Sequence, residues 1–296
     1  MEDLIKIENI LEELAEEIEP HLPVMDGFLS NLKSTDKPLS IFSMTSFFPK
    51  VESISIGIFE VAKIEEYYSL NILFRSLIEH FVKAQYIWMK ALGSKNDEIG
   101  IDYWLFGRDQ ENIDYAKALQ QSYSLVGIHP NVSPVEILKK MGVISKDKSA
   151  NQIRTKSEQF KYKNMTHYIA DQLKAKENGV APILSSIFPR YSELSSCVHG
   201  GPDSVGTYEK GPDAVKEIIE MATFASLYTR WSTYILFYQY EKGVGPLCQI
   251  TKKYLHKFTG HNRVSAGISP ALPTPPSMRV RTRRLKQGNE NVPTDL

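Results

Sequence analysis

An all-α bundle around one long central helix is the fold class this sequence predicts, and three observations predict it. From Leu70 to Leu92 (LNILFRSLIEHFVKAQYIWMKAL) apolar residues recur at spacings of three and four, the period of an α-helix. From Gly211 and Pro212 to about Lys242 a second long run sets Met221, Phe224, Tyr228, Trp231, Ile235 and Tyr238 at heptad-like spacing, as on a core or dimer face, so a homodimer is one expectation. Shorter segments carry helix punctuation: Ser133 and Pro134 precede an apolar run that stops at Gly142, the usual order of Pro just inside a start and Gly just past an end.

The central segment says most. At about 100° per residue, Leu70, Leu73, Phe74, Leu77, Phe81, Ala84 and Trp88 form one wide stripe, while Tyr68, Ile72, Arg75, Glu79, Val82 and Tyr86 gather opposite. A surface helix would carry Lys and Glu there. Here the second side is apolar and aromatic with a single Arg75/Glu79 pair, so the helix is expected to be covered on two sides, and the pair is the first candidate for chemistry.

Composition bounds the rest. The 296 residues, 42% of them hydrophobic, suffice for one sizeable core. Basic and acidic residues number 35 each and cancel, so no global field announces a nucleic acid or a membrane. Cys197 and Cys248 are the only cysteines, which excludes a Cys-based zinc site and argues against a disulfide framework. No apolar run reaches the length of a membrane span, and the N-terminal segment is acidic where a signal peptide is basic. A cytoplasmic protein without a membrane partner is expected.

In chain order, Leu4, Ile7, Leu11, Leu14 and Ile18 mark an amphipathic helix whose outer face is negative, since residues 1–20 hold eight acids and one Lys. Pro20 and Pro23 end it. Residues 1–36 thus read as an acidic helix and linker, 37–258 as a helical-bundle domain, and 259–296 as a disordered basic, Pro-rich tail. Pro49 leads into a helix starting at Val51. From Lys146 to Lys176 eight Lys/Arg face three acids, with Phe160, Tyr162 and Tyr168 interleaved. That composition can bind RNA by phosphate contacts and stacking, or it can be a solvated basic face. In SSIFPRYSELSSCVHGGPD, Pro189 suits a helix start and Gly200, Gly201 and Pro202 a stop. His199 then falls in the last turn, on one face with Tyr191 and Ser195, either as a cap or as a tuned acid/base group.

Several chemistries lack their residues. There is no Walker A loop, no GxGxxG, no HExxH and no Glu-x-x-His pair, which removes nucleoside triphosphate, dinucleotide, zinc-protease and di-metal carboxylate readings. His167 and Asp171 stand four apart without further ligands in view, so no metal and no cofactor is expected.

The central FRSLIEHFVKAQYIW together with the later YSELSSCVHGG resembles a bacterial domain family of unknown function, over roughly Val51 to Lys242. An Arg-x-x-x-Glu helix followed by a helix ending Ser-x-x-x-His-Gly is more distantly similar to the higher-eukaryote and prokaryote nucleotide-binding (HEPN) helical superfamily. Many of its members are metal-independent ribonucleases of toxin or phage-defence systems, often dimers with an Arg and a His at the shared face. The resemblance therefore implies a HEPN-like bundle that cleaves or binds RNA.

The ribonuclease members carry Arg and His about four to six residues apart on one stretch, and this chain departs from that. Arg75 and His80 fit the count, but five steps along one helix turn about 140° and point the two side chains apart. Before His199 the matching positions are Leu194, Glu193 and Ser192, and Arg190 lies about 180° round the helix. A composite site remains. In it Arg75 would hold the scissile phosphate, His199 would move a proton, Glu79 would orient either one, and Ser195 would complete the face. The other reading is a buried Arg/Glu/His network that fixes helix register in a non-catalytic regulatory or assembly module.

Overall fold

The computed structural model describes residues 2–128, 131–174, 181–198 and 212–266, and these are mostly helical, with no strand among them. In order they form α1 (Glu2–Ile18), α2 (Leu22–Ser30), α3 (Pro38–Lys63), α4 (Tyr67–Gly93) and α5 (Glu98–Ile101), then a π-helical stretch over Asp102–Gly107 that runs into α6 (Arg108–Leu125). There follow α7 (Pro134–Lys140), α8 (Ala150–Glu158), α9 (Tyr162–Lys174), α10 (Ala181–Val198), α11 (Pro212–Tyr238) and α12 (Gly245–Ala266). No helix among them is long and apolar enough to cross a membrane.

The helix α4 is the axis. Glu66 starts it, its side chain accepting from the Tyr68 and Ser69 amides as an N-cap does. From Tyr67 to Leu92 no residue is exposed, because α3 and α11 cover the apolar stripe while α9 and α10 cover the other side. The heptad-like face of α11 is core: Met221, Phe224, Tyr228, Trp231 and Ile235 are all buried in the same cluster as Phe74 and Phe81 of α4.

Two prolines were expected to bound helices and instead lie inside them. Pro49 sits within α3 and Pro189 within α10. Pro in a helix interior costs about 3 kcal/mol, but α3 buries Ile41, Met44 and Phe47 before Pro49 and Val51, Ile58 and Phe59 after it. At roughly 1.5–3 kcal/mol per buried side chain, packing of both halves against one core outweighs the break. Both prolines are exposed, on the side where water can meet the carbonyl they leave unbonded. The start of α10 is Ala181-Pro182 instead.

Ile7, Ile10, Leu14 and Ile18 of α1 belong to the main core cluster with Leu255 and Phe258 of α12, so residues 1–36 are part of the bundle. The acidic face of α1 is tied down: Glu17 and Glu13 pair with Lys253 and Lys257, both at 2.6 Å, and Glu8 with Lys63 at 2.8 Å. Beyond Thr259 the chain stays helical to Ala266; the remainder of the expected tail, 267–296, lies outside the described residues. A satellite cluster of Phe106, Ile113, Leu138, Ile144 and Ile153 holds the π-helical stretch, α6, α7 and α8 together.

At the far end of α4 a closed polar knot fixes the bundle. Asp97 accepts from the Leu39 and Ser40 amides at 2.6 and 2.9 Å and from the Ser40 hydroxyl at 2.5 Å. It caps the N-terminus of α3, where a carboxylate also suits the helix dipole. Lys37 donates to the Ala91 carbonyl at 2.7 Å, which satisfies the C-terminal end of α4. Gly100 permits the approach, since a Cβ there would clash with the backbone nitrogen of Ser40.

Candidate functional site

The second side of α4 meets α10 at Arg75 and Glu79. One turn apart, the pair closes at 3.0 Å between Arg75 Nη2 and Glu79 Oε1. Tyr191 reaches across from α10: its hydroxyl donates to Glu79 Oε1 at 2.7 Å and accepts from Arg75 Nη2 at 3.3 Å. The Arg75 guanidinium lies 5.3 Å from the Tyr191 ring centroid, within cation–π range. From the start of α9, Tyr162 stacks on Tyr191 with centroids 3.7 Å apart. Three helices therefore converge on one carboxylate and one guanidinium.

The cluster is neither sealed nor open. Arg75 is 20% and Glu79 37% exposed, yet Arg75 Nε and the Tyr162 hydroxyl are buried and, among the described residues, without a hydrogen-bond partner. A buried donor left unpaired is costly and wants a reason. Burial pushes the Tyr162 and Tyr191 phenols up; beside them Glu79 pushes both further, while Arg75 pulls Tyr191 back. Both phenols stay protonated at neutral pH; Tyr191 gives its proton to Glu79, and the Tyr162 hydroxyl has no partner among the described residues.

Of the four expected site residues, Arg75 and Glu79 come together. Ser195 lies one turn beyond Tyr191 on α10, half-buried. His199 lies outside the described residues, which end α10 at Val198. Tyr191 and Tyr162 were not foreseen as members; a shared face of Tyr191 with Ser195 was the only local signal, and nothing local links Tyr162 to Arg75. His80 is turned away as the helical count requires, with Nδ1 2.8 Å from the Ser76 carbonyl and its ring against Phe47 of α3. Arg190 is engaged elsewhere, with Glu193 and with Glu217 of α11.

Three lysines of the basic stretch from Lys146 to Lys176 are paired with acids of the fold. Lys148 pairs with Asp109 at 2.6 Å, Lys156 with Glu98 and Asp102 at 3.1 Å each, and Lys161 with Glu158 at 2.7 Å. Its rings pack inward as well: Phe160 and Tyr168 meet Tyr86 edge-on, and Tyr162 is stacked on Tyr191. Another partly buried pair, Arg230 with Glu52, joins α11 to α3 under the Phe48 ring; its partners are far apart in sequence and no motif announces them. Among the described residues no group of three or more His, Cys, Asp or Glu is placed to hold a metal ion.

No family model, no curated protein and no solved structure matches the chain. The geometry of the α4–α10 junction itself therefore carries the functional reading.

Proposed function

We propose that the α4–α10 junction is the phosphate-handling centre of a HEPN-like, metal-independent effector that cleaves or binds RNA. The observation that carries this reading is Arg75, held by Glu79 and Tyr191 at the α4–α10 junction while its side chain stays 20% exposed. A partly exposed guanidinium held in place in this way suits a phosphate, which accepts charge-assisted hydrogen bonds from it. In cleavage, the 2′-hydroxyl would give its proton to His199 and attack phosphorus, Arg75 would stabilise the charge gathering on the phosphoryl oxygens, and the P–O5′ bond would break as His199 returns the proton to O5′. Tyr191 and Glu79 are positioning residues for Arg75.

The test uses the full chain with labelled single-stranded RNA in the presence of a chelator. Cleavage by the wild type, lost in both Arg75→Ala and His199→Ala while circular dichroism is unchanged, is the expected result. Activity that a chelator abolishes would overturn the metal-independent mechanism, and wild-type protein that neither cuts nor retains RNA on a filter would overturn the reading altogether. One observation favours the second reading, a non-catalytic regulatory or assembly module: Glu79 accepts from Arg75 and Tyr191 at once, which ties two helices without any ligand. In that case Arg75→Ala lowers the melting temperature and has no activity to remove.

A further inference from the structure

The helix α6 leaves the body of the protein. Its first half is anchored by Ile113, buried in the satellite cluster, but from Lys117 to Ile128 every residue except Gln120 is exposed. The end is well made. Gly127 takes φ +79, the Ile128 amide returns to the Tyr123 carbonyl at 3.0 Å, and Gln120 pins the following segment through the Val132 carbonyl at 2.7 Å. This is a Schellman-type stop on a rigid arm.

What the arm displays is apolar. Tyr115 is 68%, Leu119 38%, Tyr123 50%, Leu125 88%, Val126 71% and Ile128 56% exposed. Tyr115, Leu119, Ser122 and Val126 follow the four-three-four spacing of one stripe, within about 60° of one another, with Ile113 and Gln120 on the far side. A helix apolar on two sides is one that is covered on two sides, and the body covers only one. The stretch is also free of charge: between Lys117 and Glu136 there is no Asp, Glu, Lys or Arg in a chain that is 24% charged.

We infer that the outer stripe of α6 is the contact surface for a second copy of this chain, paired antiparallel about a two-fold axis. A two-fold contact sets a patch against itself, so any net charge on it repels its own copy; this stripe has none. Nucleic acid would call for Lys and Arg on the arm, and a membrane surface for a basic polar face around the apolar one. Tyr115, Leu119 and Val126 of the stripe, with Tyr123, Leu125 and Ile128 flanking it, together expose on the order of 600 Å², below the roughly 800 Å² that each partner contributes to a standard interface.

The experiment is the mass of the full-length chain in solution at tens of micromolar, by sedimentation and light scattering. Twice the chain mass is expected for the wild type. Tyr115→Arg with Val126→Arg should raise the dimer dissociation constant about a hundredfold with unchanged helical circular dichroism. If that double variant loses its helical signal, Leu119→Arg decides instead. A wild type of single-chain mass overturns the inference, as does a dimer that survives folded variants. A single-chain wild type that sediments with phosphatidylcholine/phosphatidylglycerol vesicles would give the arm to a membrane surface and overturn it too.

Discussion

Two polar networks brace α4 about 20 Å apart along its axis, and they are built on opposite terms. At the C-terminal end, Asp97, Ser40 and Lys37 are buried and bonded, and three of their four bonds satisfy helix-terminal backbone groups that would otherwise be orphaned. At the α10 junction, Arg75 and Glu79 are partly exposed, two groups share one carboxylate oxygen, and two buried donors have no partner among the described residues. A polar cluster that serves only the fold closes its hydrogen bonds.

The comparison can be broken by substitution, and the largest effect belongs to the closed knot. Asp97→Ala strips the acceptor from three donors and should cost about 4 kcal/mol in chemical denaturation, with Gly100→Ala of similar size because its Cβ has no room. Losses under about 1 kcal/mol in both would show that the knot is no brace. At the open junction the sign reverses: Tyr162→Phe removes a buried, unpaired hydroxyl and should stabilise by about 1 kcal/mol. Destabilisation there would mean that the hydroxyl does have a partner.

Smaller still is Glu79→Gln, expected to cost about 0.5 kcal/mol because the Arg75 pair is partly solvated; a loss of several kcal/mol would put this network in the same class as the knot. The smallest effect is one of pH. Burial and Glu79 raise the folded Tyr191 phenol above its ordinary value, so as pH passes about 10 the unfolded chain gives up that proton first. The contribution to stability is whole below that pH and is lost as pH rises through the folded value. In Glu79→Gln the Tyr191 ionisation should begin at lower pH by near-ultraviolet absorbance, and an unchanged curve would show that Glu79 is not what Tyr191 senses.

How far the sequence could be read follows from the range of each interaction. The central helix was legible because its period is local, and so was its double coverage, because an apolar, aromatic side with one charged pair belongs against protein and not against water. Arg75 and Glu79 were legible for the same reason. The prolines misled: Pro49 and Pro189 obey local rules that packing on both flanks overrides. Tyr191 could be placed on a face but not against Arg75, since 116 residues separate them, and Tyr162, Asp97 and Gly100 owe their roles to neighbours that only the fold supplies.

The pairing of α1 with α12 bears on how the chain reaches this state. Lys253, Tyr254 and Lys257 meet Glu13 and Glu17 across more than 235 residues of sequence. At a synthesis rate of roughly 5–20 residues per second, α1 emerges from the ribosome about ten seconds or more before the helix that covers it exists. Throughout that interval Ile7, Ile10, Leu14 and Ile18 present an apolar ridge flanked by acids, and closure of so long a loop is a late and slow event. The apolar ridge of α1 is therefore among the last surfaces of the described fold to be covered, and it is covered by the docking of α12.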